Sequence, residues 1–188
     1  MTSRFPMITF LLFLTVPAVA VSAAELEGVR VPEVVEVEDT RLSLRGTALL
    51  RYMIFIKAYV GALYLPEDAA SGNLFSPVAK RLTLSYFHKI KADDFAEATR
   101  KKIADNVSGE ALDNLKPRID KLAAMYQDVR PGDRYALTYL PGKGTELSLN
   151  GESLGWIGGD DFARAVFSIW LGEFPIDAGF RDRLLGGS

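Results

Sequence analysis

Asn150 and Gly151 form the join between two runs that alternate apolar and polar residues, "TELSLN" and "ESLGWI". Asn-Gly suits a two-residue hairpin turn, because both central positions take positive φ. A second turn, Pro141 to Gly144, joins "TELSLN" to "DRYALTYL" before it. Three strands linked by two tight turns make an antiparallel meander. A parallel sheet would need a crossover of a dozen or more residues at each link. The strongest local signal in the chain therefore commits it to an antiparallel sheet.

The other elements fit around that meander. Residues 26–50 read as short strands that turn at Glu38–Thr40, and 51–65 form the most apolar strand region. A loop rich in turn residues, "PEDAASGNLFSP", covers 66–77. In "KRLTLSYFHKI", Leu82, Leu84 and Tyr86 alternate with Thr83, Ser85 and Phe87, so one face of this strand is buried. The period then changes. Asp93 to Asn106 is rich in helix formers, with an acidic first turn. Leu112, Leu115, Ile119, Leu122 and Tyr126 recur at helical spacing. Pro117 either kinks that helix or opens a second one. A last long helix starts near Asp160 with Phe162, Ala165, Val166, Ile169 and Trp170 as its apolar stripe, and Asp177 caps a short helix after it. Strands, helices, meander and helices in that order predict an α+β fold, one antiparallel sheet with helices on one side.

At 188 residues and 48% hydrophobic, the chain suits one domain with a core of useful size. Its N-terminus, "MTSRFPMITFLLFLTVPAVAVSAAE", has one early cation, an apolar stretch, then small residues. That is the layout of a secretory signal peptide over residues 1–24, cut before Glu25, with Ala18 and Ala20 offering an earlier cut. An uncleaved anchor is the alternative. Pro6 and Pro17 limit the unbroken apolar run to about ten residues, against the ~20 of a spanning helix. The expected mature chain, 25–188, is periplasmic or secreted, with no membrane span.

The same sequence excludes much chemistry. A net charge of −2 without charge runs argues against nucleic acid as a partner. The absence of cysteine removes thiol nucleophiles, thiolate metal sites and disulfides. His88 is the only histidine, reads as a solvated strand-end residue, and cannot build a multi-histidine metal site. "PGKGTE" lacks phosphate-loop spacing and reads as a hairpin turn. Asp93–Asp94 and Asp160–Asp161 open helices, where capping and the helix dipole account for them. No metal, cofactor or catalytic triad is expected.

What remains is "LLRYMIFIKAYVGALYLPE", residues 49–67, an apolar run holding Arg51 and Lys57. As one straight strand it would put Arg51, Lys57, Tyr59, Gly61, Leu63 and Leu65 on one face. The other face, with Val60, Ala62 and Tyr64, is more uniformly apolar and is expected to meet the core. Arg51 and Tyr59 would then lie about 26 Å apart, at ~3.3 Å per residue, and share nothing. No Gly, Pro, Asn or Asp between them marks a turn. The pattern alone favours surface cations at a strand edge, with Lys57 the more solvated.

Three segments give a resemblance: "GTALLR" from Gly46 to Arg51, "FIKAYVGALYLPE" from Phe55 to Glu67, and "FSIWLGEFPIDAGFRDRLLG" from Phe167 to Gly186. In them the chain resembles the bacterial chalcone isomerase-like proteins. The resemblance implies an open-faced sandwich, a large antiparallel sheet under a helical layer with a cleft between. In plant chalcone isomerases an arginine and a threonine near the start of this sheet contribute to the site. Arg51 matches the arginine, and Tyr59 falls at the threonine if the chain reverses in a shortened hairpin between them. The enzyme's further tyrosine, asparagine and Ser/Thr fall on Phe95, Lys102 and Ala163. Three hydrogen-bonding groups would thus be absent.

Fatty-acid-binding relatives of the fold hold a carboxylate with an arginine and a tyrosine, which Arg51 and Tyr59 match better. A guanidinium grips a carboxylate as a two-pronged donor, and a phenol adds one more. The resemblance therefore implies an exported, non-catalytic protein that binds a hydrophobic carboxylate such as a fatty acid through Arg51 and Tyr59. The alternatives are an isomerase of the chalcone isomerase type and a structural or partner-binding periplasmic protein.

Overall fold

The computed structural model describes residues 23–53, 55–69 and 74–187. The signal-peptide reading of residues 1–24 lies outside them, apart from its last two positions. A two-stranded ribbon comes first, β1 (Ala23–Leu26) and β2 (Val29–Pro32). Seven strands then form one antiparallel sheet in chain order: β3 (Val34–Val37), β4 (Thr40–Tyr52), β5 (Ile56–Leu65), β6 (Lys80–Tyr86), β7 (Arg134–Leu140), β8 (Gly144–Leu149) and β9 (Glu152–Ile157). Two helices, α1 (Ala92–Asn106) and α2 (Gly109–Met125), sit between β6 and β7, and α3 (Asp160–Leu171) and α4 (Ala178–Leu184) follow β9. The α+β class and the layered open-faced sandwich are as the sequence predicts.

The single strand over 51–65 is corrected: it is a hairpin. Tyr52 pairs with Ile56, and Arg51 with Lys57. Met53 takes a left-handed conformation, φ 48°, and the Phe55 amide donates to Met53 O across 2.7 Å. Glycine or asparagine usually fills such a position, so the reversal leaves no turn signature. Pro117 lies inside α2, which runs through it as one helix. The Asp177 cap is present, accepting from the Phe180 amide at 2.6 Å.

The β5 face expected to meet the core does so, and the opposite face is buried as well. Tyr59, Leu63 and Leu65 pack under the helical layer with Leu82, Leu84, Phe162 and Phe180. Val60, Ala62 and Tyr64 join a second, smaller core with Val31, Val37 and Leu42. β6 is likewise buried on both faces. The sheet curls, and its first strands and the ribbon close over the outer face. Pairing between distant strands decides this, so alternation within one strand cannot reveal it. Each large aliphatic fully buried here stabilises the fold by ~1.5–3 kcal/mol.

Two glycines let α4 dock. A Cβ at Gly46 would lie 2.7 Å from Leu184 O and still closer to Arg183 O. At Gly61 it would meet Phe180 Cζ at 2.5 Å. Arg118 of α2 holds the start of α3 with both prongs, 2.7 and 2.6 Å to Asp161, while Asp160 accepts from the Tyr139 hydroxyl at 2.7 Å. Both acids thus make long-range contacts as well as lying in the first turn of α3.

Candidate functional site

Between the sheet and helices α1 and α3 lies a cavity of about 630 Å³. That is within the ~300–1,000 Å³ of small-molecule sites. β5, β6 and β7 supply Tyr59, Leu84, Tyr86 and Leu137 to its wall, α1 supplies Phe95 and Thr99, and α3 supplies Ile169 and Trp170. Alternation along β6 aims Leu84 and Tyr86 at the helices, and helical spacing puts Phe95 and Thr99 on the inner side of α1.

Aromatic rings carry much of that wall. Tyr86 meets Tyr59, Phe95 and Tyr135 edge to face, with centroids 5.4, 5.3 and 6.0 Å apart. Phe95 stacks on Tyr126 at 5.4 Å. Such pairs add ~0.5–1.5 kcal/mol beyond burial. Most hydroxyls in the cluster are held. Trp170 Nε1 donates to Tyr59 Oη at 3.0 Å, and Thr99 Oγ1 and Tyr126 Oη share a bond of 2.9 Å. Tyr135 Oη donates to Gln127 O at 2.8 Å. The Tyr86 hydroxyl has no hydrogen-bond partner among the described residues, although Tyr86 is buried.

Burial raises the pKa of every one of these phenols, that of Tyr126 to about 12. Desolvation penalises the phenolate, so near neutral pH they are uncharged donors and acceptors. The wall can bind an apolar chain and offer a few hydrogen bonds. Asp94 and Lys102 also line it, Lys102 being paired with Asp105 at 2.8 Å.

The hairpin reverses the chain as the Arg51–Tyr59 pairing requires, but the two side chains do not meet in one cavity. The register sets Tyr59 opposite Leu50 and Arg51 opposite Lys57, with an irregularity between Leu50 and Arg51. Tyr59 is buried in the cavity wall. Arg51 is exposed and lines an adjoining hollow of about 410 Å³. Hollow and cavity share Tyr52, Ala58, Ile90 and Ile176 as wall. Arg51 therefore stands outside the chamber that Tyr59 lines. Its guanidinium lies 3.3 Å from Glu27 Oε1, and the other oxygen of Glu27 takes Lys57 Nζ at 2.6 Å. Lys57, then Arg51, hold the Glu27 carboxyl below its ordinary pKa.

Tyr86, Tyr126 and Trp170 were legible in the sequence as core positions, not as cavity wall. Phe95 and Lys102 line the cavity, whereas Ala163 is buried and not part of its wall.

Residues 23–186 match the model of a family described as chalcone isomerase-like. A search of curated proteins finds no match. Among solved structures, the Arabidopsis thaliana fatty-acid binding protein AtFAP1 is similar, at a TM-score of 0.69 and 13% identity over 87% of this chain and 96% of that one. At that identity the likeness concerns the fold.

Proposed function

The chain belongs to the chalcone isomerase-like family, and from that premise we propose that it binds a hydrophobic carboxylate, such as a fatty acid, without transforming it. The observation that carries this reading is the apolar cavity under the helices with a guanidinium just outside it. The tail lies in the cavity, where each buried methylene contributes ~0.8 kcal/mol. The carboxylate sits toward the hollow. There Arg51, held by one 3.3 Å contact to an exposed Glu27, can turn to a second anion. Tyr59 keeps its own proton to donate while accepting from Trp170.

A binding role is favoured over isomerisation by what the wall lacks. By the resemblance, Phe95 stands where the enzyme's tyrosine falls, and it offers no hydroxyl to the wall it lines. Cyclising a chalcone requires both reacting ends to be positioned and polarised. Export to the periplasm or beyond is part of the proposal and rests on the N-terminal sequence alone. Among the described residues no helix is long and apolar enough to cross a membrane.

The test is lipid extraction and mass spectrometry on purified wild type and Arg51→Ala. A fatty acid carried by the first and depleted in the second supports the reading. An empty wild type with no affinity for added fatty acids sinks it. Turnover of a chalcone that is lost in Arg51→Ala would replace it with the isomerase.

A further inference from the structure

Six large apolar side chains stay exposed among the described residues, and all belong to two segments: Tyr52, Met53, Phe55 and Ile56 at the β4–β5 hairpin tip, and Phe174 and Ile176 between α3 and α4. The segments meet, since Tyr52, Ile56 and Ile176 line the outer hollow, and Tyr52 and Ile176 line the cavity too. The hairpin tip and Ile176 thus stand together beside the cavity. Phe55 is 85% exposed, Met53 69% and Tyr52 65%, so they contribute little to this chain's own core. A solvated turn would ordinarily be Gly, Asn or Asp, and here Met53 holds positive φ without their freedom.

We propose that this rim docks on a phospholipid surface, with the hairpin tip entering the interface and the cavity facing the lipid for loading and release; the inference rests on the reading of a water-insoluble acid as cargo. Polarity is layered along the hairpin. From Tyr52 to Ile56 no residue is charged. One rung back, Arg51 and Lys57 face each other with the single carboxylate of Glu27 between them. Asp177, which also lines the hollow, has its carboxylate engaged by the Phe180 amide. An apolar tip below long-stemmed cations matches hydrocarbon below phosphate, because such stems let the charge stay at headgroup depth. Tyr52 suits the boundary, with an apolar ring and a polar end. Whatever covers the rim lies beside the cavity, and a lipid surface is the covering phase that stores such cargo.

The chain has no cysteine, so Phe55→Cys carries a polarity-sensitive fluorophore at the tip alone. Asp39→Cys, at the opposite end of β4 and ~40 Å away, is the control. With vesicles of phosphatidylcholine and phosphatidylglycerol, the tip label should shift to the blue and the control should not. Adding Met53→Glu to the labelled protein should weaken the apparent vesicle affinity ~10-fold or more while leaving the melting temperature unchanged, since Met53 is exposed. No shift at the tip, an equal shift at both sites, or no effect of Met53→Glu would overturn the proposal. A tip shift that needs no vesicles and grows with protein concentration would replace the lipid with a second copy of the chain. Titrating the same protein with soluble fatty acid separates the two readings, because a chain that enters vesicles by its tip yet binds no fatty acid keeps the docking and loses the cargo.

Discussion

Trp170 Nε1 donates to Tyr59 Oη across 3.0 Å, tying α3 to β5 in the wall of the cavity. Both side chains are buried. Tyr59→Phe would leave the indole N–H without its acceptor, at a cost of ~1–3 kcal/mol. Trp170→Phe removes the donor as well, so the double variant is expected to be less destabilised than the two singles summed. Chemical denaturation of the four proteins checks this.

Arg51 and Lys57 share Glu27, and all three are partly solvated. Arg51→Ala leaves Glu27 its shorter contact, the 2.6 Å one to Lys57, and is expected to change stability by less than ~1 kcal/mol. Affinity for a fatty acid is expected to fall about tenfold or more, the worth of a charge-assisted hydrogen bond. Calorimetric titration beside a thermal melt separates the effects. Equal affinity in both proteins would remove Arg51 from the site.

Gly46→Ala should be among the more damaging single-methyl changes. The new Cβ would press on the carbonyl oxygens of Arg183 and Leu184, which are backbone and cannot rotate away. A loss of ~1–3 kcal/mol is expected, with α4 lifted from β4. Gly158→Ala is the control, because its Cβ meets nothing within 4 Å. Hydrogen exchange in α4 would report the lifting.

Lys80 is buried on β6, with Nζ 4.7 Å from the Tyr139 ring centre and donating to Ser76 O at 3.2 Å. Burial, then the charge of Arg164, lowers its pKa from 10.5 to about 8, against a smaller opposing pull from Asp160. Between those values the unfolded chain holds more protons than the folded one, so stability rises with pH from about 8 toward 10. Above about 10 the buried tyrosines act oppositely. Their phenols stay protonated in the fold and ionise in the unfolded chain, so stability falls. Melting temperature against pH should therefore rise and then drop, and Lys80→Met should lose the rise and keep the drop. A flat wild-type profile from pH 8 to 10 would contradict the burial of a charged Lys80.

The meander, the long helices and the Asp177 cap were legible because each has a local signal: Asn-Gly, helical periodicity, an acid before a short helix. The β4–β5 reversal was not, because Met53 takes its left-handed conformation with none of the usual turn residues beside it. Nor was the partner of Arg51, since Glu27 lies 24 residues away on a ribbon turn. Trp170 meets Tyr59 across 111 residues, so each reads from sequence as an ordinary core aromatic. Resemblance singled out Arg51 and Tyr59, but the register that sets Tyr59 opposite Leu50 and Arg51 opposite Lys57 has no local signal in the sequence. A cavity is an absence of atoms, and no pattern of residues along one strand encodes it.

Ala58 lines both the cavity and the hollow, so a large side chain there should fill space that the ligand would occupy. The most direct measurement is calorimetric titration of wild type and Ala58→Trp with a long-chain fatty acid, each protein first shown to melt cooperatively. Saturable binding of one molecule by wild type, abolished in Ala58→Trp, is the expected result. No binding by wild type, or equal binding by a folded Ala58→Trp, would contradict the placement of a hydrophobic acid in this cavity.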